Sequence, residues 1–251
     1  MLAFILALMI SLSLTYLVRK YSASWGLLDL PAERKMHKAP IPRSGGLAMV
    51  LAVLISCAVF AGHNILVWQI LTGTILICCL GFWDDKFSLS PKLKFIGQIT
   101  IACLTVFYFH IRIELFPSSL MNDFLSIFWL VGITNALNLL DNMDGLSAGI
   151  SIIAVFYFMF FALLAGQSEL VILSLALIGA IFGFLRYNRN PASIFMGDSG
   201  SMSLGYMLAV LGIVIKVQTA WSGWQTALVP VLILGLPIFD TTLVTFLRRL
   251  N

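Results

Sequence analysis

The chain has 251 residues, of which 60% are hydrophobic and only 10% are charged, and its formal net charge is +4. So few charged side chains cannot cover the surface of a protein folded in water, and the mean hydropathy of +1.01 comes from long apolar runs. The composition therefore excludes a soluble globular enzyme, and nothing in it indicates nucleic-acid binding. It predicts an all-α protein that crosses a lipid bilayer, because the runs are continuous and do not alternate as barrel strands do.

The apolar runs predict nine membrane-spanning helices in a single transmembrane domain. In chain order they cover approximately residues 1–18, 45–62, 64–82, 93–110, 124–140, 146–165, 169–185, 200–216 and 226–247. The first run has no basic residue before it and no small-residue cleavage site after it, which argues against a removable signal peptide. The cysteines fall inside predicted spans without metal-site spacing, and we interpret them as packing residues: Cys57, Cys78, Cys79 and Cys103.

Basic residues are distributed unequally between the two sets of loops. If the predicted spans alternate in direction, the odd-numbered spans end and the even-numbered spans begin on the same side of the membrane. Of the 15 lysines and arginines, all but Arg112 and Lys216 lie on that side. Cytoplasmic loops of membrane proteins carry the excess of basic residues. We therefore expect this richer side to be cytoplasmic and the N-terminus to lie outside.

Five carboxylates gather on the same predicted side, each at or near the end of a span: Asp84, Asp85, Asp141, Asp144 and Asp198. The positive-inside rule does not control acidic residues. Their clustering beside lysines and arginines indicates a site for a metal ion and phosphate. Solvated loop charges are the alternative interpretation.

The first motif places two adjacent aspartates at the end of the third span. Asp84 and Asp85 repel each other unless a cation or a proton is bound. Such a pair suits Mg²⁺, a hard cation that takes oxygen ligands. Ser90 and Pro91 predict an N-cap and a first-turn proline for the fourth span. Lys94, one turn further on, is expected at the membrane surface, where a phosphate would lie.

The second motif is a polar ladder whose members recur every three residues: Asn135, Asn138, Asp141 and Asp144. Neighbouring members share a helix face, and polar groups that enter a span are costly unless they are paired, hydrated or liganded. Asn142 and Gly145 tolerate the left-handed backbone that a tight break between spans 5 and 6 requires. Hydrogen bonding between helices is the alternative to a ligand site.

The third motif, residues 195–201, opens the eighth span. Glycines, a carboxylate and hydroxyls at a helix N-terminus predict a cradle for an anion or a metal-bound phosphate, because free amides and the helix dipole point outward there. A simple N-cap role for Asp198 or Ser199 is the alternative. A basic loop, residues 34–46, precedes the second span and on composition alone could equally anchor to anionic lipid.

Together, these four segments resemble the polyprenyl-phosphate N-acetylhexosamine-1-phosphate transferases of glycosyltransferase family 4. The resemblance runs from the basic loop to the end of the ninth span and rests on four motifs in order: Arg-Lys-x-His-x-x-Pro-Ile-Pro-Arg-x-Gly-Gly, Asp-Asp with a later Leu-Ser-Pro-x-x-Lys, Asn-Ala-x-Asn-Leu-x-Asp-x-x-Asp-Gly-Leu, and Phe-Met-Gly-Asp-Ser-Gly-Ser. The first and last are more similar to the branch that uses UDP-N-acetylglucosamine than to the branch that uses UDP-muramoyl-pentapeptide.

The resemblance implies transfer of N-acetylhexosamine 1-phosphate from a UDP-sugar to undecaprenyl phosphate, with release of UMP. N-acetylglucosamine 1-phosphate is the expected group, and the reaction is expected to be the first membrane step of a cell-envelope polysaccharide in a bacterial inner membrane. The implied cofactor is Mg²⁺, with Mn²⁺ as its alternative. The expected partners are the two substrates and the bilayer, without nucleic acid, and a homodimer is left open.

The resemblance also implies roles for individual residues. The expected metal ligands are Asn138 and Asp198. Three residues are expected to act in catalysis: Asp84, which activates or orients the lipid phosphate, Asp85, which supports the metal, and Lys94, which holds phosphate. The expected substrate-binding residues come from three segments, with Phe195 stacking on uracil: Lys38, Arg43, Asp141, Asp144 and Phe195.

Two features depart from the family pattern. Asn142 stands where the family has glycine, and the chain ends at Asn251, before the His-rich loop and the further span or spans with which relatives continue. A transporter or lipid flippase is the alternative function, since intramembrane carboxylates such as Asp240 also mark ion pathways. That alternative predicts polar groups along the spans and on both sides. A CDP-alcohol phosphotransferase or an aromatic prenyltransferase would need acidic motifs of different spacing.

Overall fold

The computed structural model describes residues 1–29, 39–215 and 224–250. Within these ranges the chain forms ten α-helices: α1 (Leu2–Tyr21), α2 (Gly45–Phe60), α3 (Ile65–Phe87), α4 (Pro91–Cys103), α5 (Ser119–Leu140), α6 (Leu146–Leu164), α7 (Ser168–Asn188), α8 (Gly197–Val214), α9 (Trp224–Ile233) and α10 (Gly235–Leu250). A π-helix (Leu104–Tyr108) continues α4, and β1 (Leu28–Asp29) pairs antiparallel with β2 (Ile41–Pro42).

The helical class of the protein is confirmed. Among the described helices, five are long and apolar enough to cross a membrane, namely α1, α3, α5, α6 and α7, and the pair α9 and α10 would make a sixth span. Helix α2 has 16 residues, α4 has 13 before its π-helix, and α8 opens with a polar turn. The count of nine spans therefore stays a prediction.

Helix α8 lies at the centre of the bundle. Every residue from Ser199 to Leu211 is buried, and the helix packs against α2, α3, α5 and α6. A Cβ added to Gly46 would lie 2.0 Å from the Cα of Gly200, so α2 and α8 cross with their backbones in contact. Small residues at crossings are the usual means by which membrane helices approach closely. The crossing brings the N-termini of α2 and α8 together.

Helices α1, α3, α5 and α7 end, and α2, α4, α6 and α8 begin, at one end of the bundle, which we call the motif end. The predicted start of α4 is confirmed, because the Leu93 amide donates to Ser90 Oγ at 3.3 Å and Pro91 is the first helical residue. Gly145, with φ of +72°, makes the predicted break before α6. Asn142 does not adopt a positive φ, so the glycine alone supplies the left-handed backbone of this turn.

The predicted span 226–247 is wrong as a single straight helix. It is broken at Leu234, where the helix from Ala227 to Ile233 and the helix from Gly235 to Arg248 are bent by 70°. Pro230 lies inside α9, and Pro237 lies in the first turn of α10. A proline lacks the N–H of the helical ladder and its ring crowds the preceding turn. Two prolines seven positions apart therefore interrupt what the apolar run alone predicts as continuous.

Candidate active site

Four side chains from four helices meet at the motif end of the bundle. Asp84 lies in the last turn of α3 and Lys94 in the first turn of α4. Asn138 lies in the last turn of α5, and Asp198 lies in the first turn of α8. Three separate sequence motifs thus supply one cluster, which we call the Lys94 cluster.

The ammonium of Lys94 is surrounded by three oxygen atoms of this cluster. Its Nζ lies 2.9 Å from Asp84 Oδ2, 2.5 Å from Asp198 Oδ2 and 3.2 Å from Asn138 Oδ1. The side chains of Lys94 and Asp84 are only 16% and 11% exposed, and that of Asp198 is 30% exposed. Two carboxylates face one ammonium, so the cluster keeps a net negative charge that favours a further cation.

The orientation of the Asn138 amide follows from its hydrogen bonds. Its Nδ2 donates to Asp198 Oδ1 at 2.7 Å and to Ser201 Oγ at 2.9 Å. The Ser201 hydroxyl donates its one hydrogen to the Gly197 carbonyl at 3.0 Å, so towards Asn138 it acts as an acceptor. The amide oxygen of Asn138 is thereby directed at Lys94. The sequence predicts Ser201 only as one of the hydroxyls of the third motif, although it lies on the same helix face as Asp198, three residues away.

The second oxygen of Asp84 closes the turn between α3 and α4. The Leu89 amide donates to Asp84 Oδ1 at 2.8 Å, and Ser88, which ends α3, has a φ of +50°. The carboxylate therefore connects the turn to Lys94. A substrate phosphate that approaches Lys94 would meet Asp84 in a fixed orientation.

Asp85 is directed away from Lys94 and towards the N-terminus of α8. Its Oδ1 accepts from the Asp198 amide at 2.8 Å, and its Oδ2 accepts from the Ser199 amide at 3.2 Å and from Ser44 Oγ at 2.9 Å. The interpretation of this helix N-terminus as an open cradle for a substrate anion needs correction, because a carboxylate of the protein already binds two of its amides. The sequence motifs give Ser44 no role of its own, and only its contact with Asp85 identifies it as part of the site.

The end of the basic loop and the third motif form one structural unit. The Phe195 amide donates to the Pro42 carbonyl at 2.8 Å, and the Gly45 and Gly46 amides donate to the Phe195 and Met196 carbonyls, each at 3.0 Å. These bonds fix the backbone of Phe195 beside the Lys94 cluster, with its side chain half-buried. Two motifs that are remote in sequence are therefore neighbours in the fold.

The structure places Arg43 against β1 and the residue before it. Its guanidinium forms an ion pair with Asp29, a buried residue of β1, and its amide donates to the Leu27 carbonyl at 2.9 Å. These contacts give Arg43 a part in holding β1 close to the start of α2. Lys38, the other expected substrate-binding residue of this loop, lies outside the described residues.

Asp144 holds the connection between α7 and α8. Its Oδ2 accepts from the Ala192 amide at 2.9 Å and from Asn190 Nδ2 at 3.2 Å. The Asn188 side chain completes the link by accepting from the Gly145 amide at 3.0 Å. A role in shaping the loop that leads to Phe195 follows from these contacts.

Asp141 lies just beyond the end of α5 and is half-buried. Its carboxylate has no hydrogen-bond or ion-pair partner among the described residues. Burial raises the pKa of the Asp141 carboxyl well above its usual value. Neighbouring carboxylates raise this pKa further: Asp198, Asp85 and Asp144. An unpaired acid at this position is suited to receive hydrogen bonds from a ligand.

Within the described ranges, no group of three or more His, Cys, Asp or Glu residues has the geometry of a complete metal site. Mg²⁺ is normally held by one or two carboxylates together with waters and substrate phosphates. The oxygen donors around Lys94, two carboxylates and one amide, fit that requirement and already accept a positive charge. The residues present therefore match the chemistry of a hard divalent cation.

Comparison with known proteins identifies the family of the chain. The family model described as glycosyl transferase family 4 matches residues 67–216. The chain is 38% identical, over 99% of its own length and 72% of the relative's, to a probable undecaprenyl-phosphate N-acetylglucosaminyl 1-phosphate transferase from Bacillus subtilis (strain 168).

More distant relatives carry a second name. The chain is 35% identical to a phospho-N-acetylmuramoyl-pentapeptide-transferase from Listeria monocytogenes serotype 4b (strain CLIP80459), over 73% of the chain and 64% of the relative. It is 32% identical to a protein of the same name from Chlorobium phaeobacteroides (strain BS1), over 76% of the chain and 62% of the relative. The chain thus spans between three fifths and three quarters of the length of these proteins. Together, the family match and these identities show that the chain belongs to glycosyl transferase family 4.

Proposed function

We propose that this protein transfers N-acetylglucosamine 1-phosphate from UDP-N-acetylglucosamine to undecaprenyl phosphate and releases UMP. The observation that carries the proposal is the Lys94 cluster, in which oxygen donors and an ammonium from four helices meet at one end of an apolar helical bundle. The name of the Bacillus subtilis relative, which aligns with 99% of the chain, supports the choice of sugar and lipid.

The reaction requires an interface, because one substrate is soluble in water and the other in lipid. A phosphate oxygen of the lipid forms a bond to the phosphorus that carries the sugar, and the bond from that phosphorus to the bridging oxygen breaks. UMP leaves with the bridging oxygen and its electron pair. A phosphate monoester has a second pKa of about 6, so the attacking oxygen is already ionised at neutral pH. Asp84 is therefore better suited to orient the lipid phosphate than to deprotonate it.

The remaining residues of the cluster position the diphosphate. Asp198 and Asn138 would hold Mg²⁺, or Mn²⁺ in its place. A bound divalent cation neutralises charge on the diphosphate, and catalysis of phosphoryl transfer depends chiefly on positioning and electrostatics. Lys94 would exchange its carboxylate contacts for phosphate oxygens once the cation is present.

The uridine is proposed to bind between Phe195 and Asp141. The backbone of Phe195 is fixed by hydrogen bonds to residues 42 and 45, so its ring can be held for stacking on a base. Asp141 presents an acceptor without a partner among the described residues. We place the motif end in the cytoplasm of a bacterial inner membrane, with the N-terminus outside, because the described basic residues of this end include Arg19, Lys86, Lys92, Lys94 and Arg186 and cytoplasmic loops carry the excess of basic residues.

The first test is calorimetric titration of UMP into the full-length protein in detergent, with and without Mg²⁺. We expect binding that Mg²⁺ strengthens, together with UMP release from UDP-N-acetylglucosamine when undecaprenyl phosphate is added. A folded protein that binds no uridine nucleotide under either condition would contradict the proposal and favour a transporter.

A second test concerns the base-stacking role of Phe195. Phe195→Ala should weaken UMP binding by about 1 kcal/mol, the usual scale of an aromatic contact. Phe116→Ala is the matched control, because this ring is 40% exposed in the connection between the π-helix and α5, at the other end of the bundle. Equal affinities of the Phe195 variant and the wild type would remove Phe195 from the nucleotide site.

A further inference from the structure

The carboxylate of Asp85 joins three elements, because it lies on α3 and accepts hydrogen bonds from α8 and from the residue before α2. It accepts hydrogen bonds from the Asp198 amide at 2.8 Å, from the Ser199 amide at 3.2 Å and from the Ser44 hydroxyl at 2.9 Å. Among the described contacts, none connects Asp85 with Lys94. Asp84, its neighbour in sequence, instead directs an oxygen at Lys94 at 2.9 Å. The two adjacent aspartates therefore face different parts of the site.

A carboxylate is well matched to the position that Asp85 occupies. The first amides of a helix have no acceptor within the helix, and the helix dipole favours a negative charge at this end. Asp85 satisfies two of these amides of α8, and one of them belongs to Asp198 itself. The bond thus fixes the backbone of the residue whose side chain contacts Lys94 and Asn138.

Gly197 is the residue that lets the carboxylate approach. A Cβ at this position would lie 2.6 Å from Asp85 Oδ2 and 2.9 Å from the Ser44 amide nitrogen, and the φ of Gly197 is +74°. Any side chain would displace the carboxylate, and a left-handed backbone favours glycine. Gly197 therefore provides the space in which Asp85 binds the amides of α8.

We infer that Asp85 is a positioning residue that acts through Asp198 and is neither a metal ligand nor a catalytic group. It holds the first turn of α8 and the start of α2 in register, so that Asp198 presents its carboxylate to the Lys94 cluster. The consequence for transfer rests on the proposed function, whereas the effect on the amides of α8 does not.

The test compares Asp85→Ala, Asp85→Asn and Gly197→Ala in the full-length protein, with Asp123→Ala as the matched control. Asp123 is a carboxylate at the opposite end of α5 that pairs with Arg112 at 3.3 Å. Hydrogen–deuterium exchange measures the protection of the Asp198 and Ser199 amides. The Mg²⁺ concentration for half-maximal thermal stabilisation measures the affinity for the cation. Neither measurement requires turnover.

Asp85→Ala and Gly197→Ala should both expose the amides of Asp198 and Ser199 to exchange. Both should also weaken Mg²⁺ affinity about 10- to 100-fold, the usual effect of removing a residue that orients a ligand. A variant that combines Asp85→Ala with Gly197→Ala should lose no more Mg²⁺ affinity than either single variant. Asp85→Asn keeps an acceptor for the Asp198 amide, so its Mg²⁺ affinity should fall less than about tenfold. Asp123→Ala should leave both measurements unchanged.

Two results would overturn the inference. One is unchanged exchange at Asp198 and Ser199 in folded Asp85→Ala. The other is a loss of Mg²⁺ affinity in Asp85→Asn that equals the loss in Asp85→Ala while both amides stay protected, since that pattern identifies a charged ligand. If the wild type instead shows no Mg²⁺ response and no transfer but the two amides still depend on Asp85, the proposed function fails and the positioning role is retained.

Discussion

The Lys94 cluster sets two carboxylates against one ammonium in a partly shielded position. Asp84 and Asp198 both contact the Lys94 Nζ, at 2.9 and 2.5 Å. Like charges held this close oppose each other's ionisation unless a cation lies between them. The ammonium therefore stabilises the free protein, and a divalent cation from solution would compete for the same oxygen atoms.

Lys94→Met should lower the thermal midpoint in the absence of divalent cations, by an amount that corresponds to about 1–3 kcal/mol, because charged groups lose a hydrogen-bonded partner. Mg²⁺ should then raise the midpoint of the variant more than that of the wild type. Lys92→Met is the control, since Lys92 is exposed in the same turn of α4. An equal Mg²⁺ response in variant and wild type would mean that Lys94 and the cation do not share a site.

Asp141 offers a prediction of pH dependence. Its pKa is raised in the folded protein, chiefly by burial. A raised carboxyl pKa means that folding favours the protonated form, so stability is full below the pKa of an unfolded aspartate and falls as the pH rises above it. Asp141→Asn should therefore raise the thermal midpoint at neutral pH, and this gain should vanish towards pH of about 4. The same variant should bind UMP more weakly, which thermal scans with and without UMP would measure.

The residues of the site could be predicted from sequence, but their division of tasks could not. Charge, spacing and resemblance gathered Asp84, Lys94, Asn138 and Asp198 at one end of the bundle, and the structure brings them into contact. A helix turns about 100° per residue, so Asp84 and Asp85 must face different neighbours. Which one faces Lys94 depends on the directions from which α4 and α8 pack on α3, and a single sequence does not contain that information.

At the scale of helices, the site depends on how closely α2 and α8 cross. Gly46 and Gly200 meet with no room for a side chain, since a Cβ on Gly46 would lie 2.0 Å from the Gly200 Cα. The neighbouring atoms are backbone, which cannot rotate aside. An added methyl group must therefore separate the two helices at the point where Ser44 reaches Asp85.

Gly46→Ala should lower stability by about 1–3 kcal/mol through overpacking and should weaken Mg²⁺ binding at the same time. Gly149→Ala in α6 is the control, because a Cβ there would meet nothing within 4 Å. The control should keep or raise the thermal midpoint. Wild-type stability in Gly46→Ala would show that the crossing is looser than the structure has it.

The sequence predicts where helices begin better than it predicts whether a helix continues without a break. Ser90 and Pro91 mark the start of α4, and Gly145 marks the start of α6, because each acts through local backbone geometry. Pro230 and Pro237 indicate the break at Leu234, although the apolar run continues through it. Hydropathy reports what surrounds a segment, whereas proline determines whether the segment stays straight.

At the scale of the whole molecule, the proposed orientation can be tested with single cysteines. In a background without Cys57, Cys78, Cys79 and Cys103, an impermeant thiol reagent should label Glu114→Cys in intact cells. Glu114 lies at the end of the bundle opposite the motif end, and its side chain is 75% exposed. Lys92→Cys at the motif end should be labelled only after the membrane is opened. Labelling of Lys92→Cys in intact cells would reverse the orientation.

The central position of α8 also has a consequence for how the protein is made. Synthesis proceeds from the N-terminus, so α1 to α7 emerge before the helix that fills their centre. Until α8 arrives, Lys94 lacks the Asp198 carboxylate, and Asp85 lacks the two amides, that they contact in the folded protein. We therefore expect the site to assemble late in biogenesis, in one step with the closure of the bundle around α8.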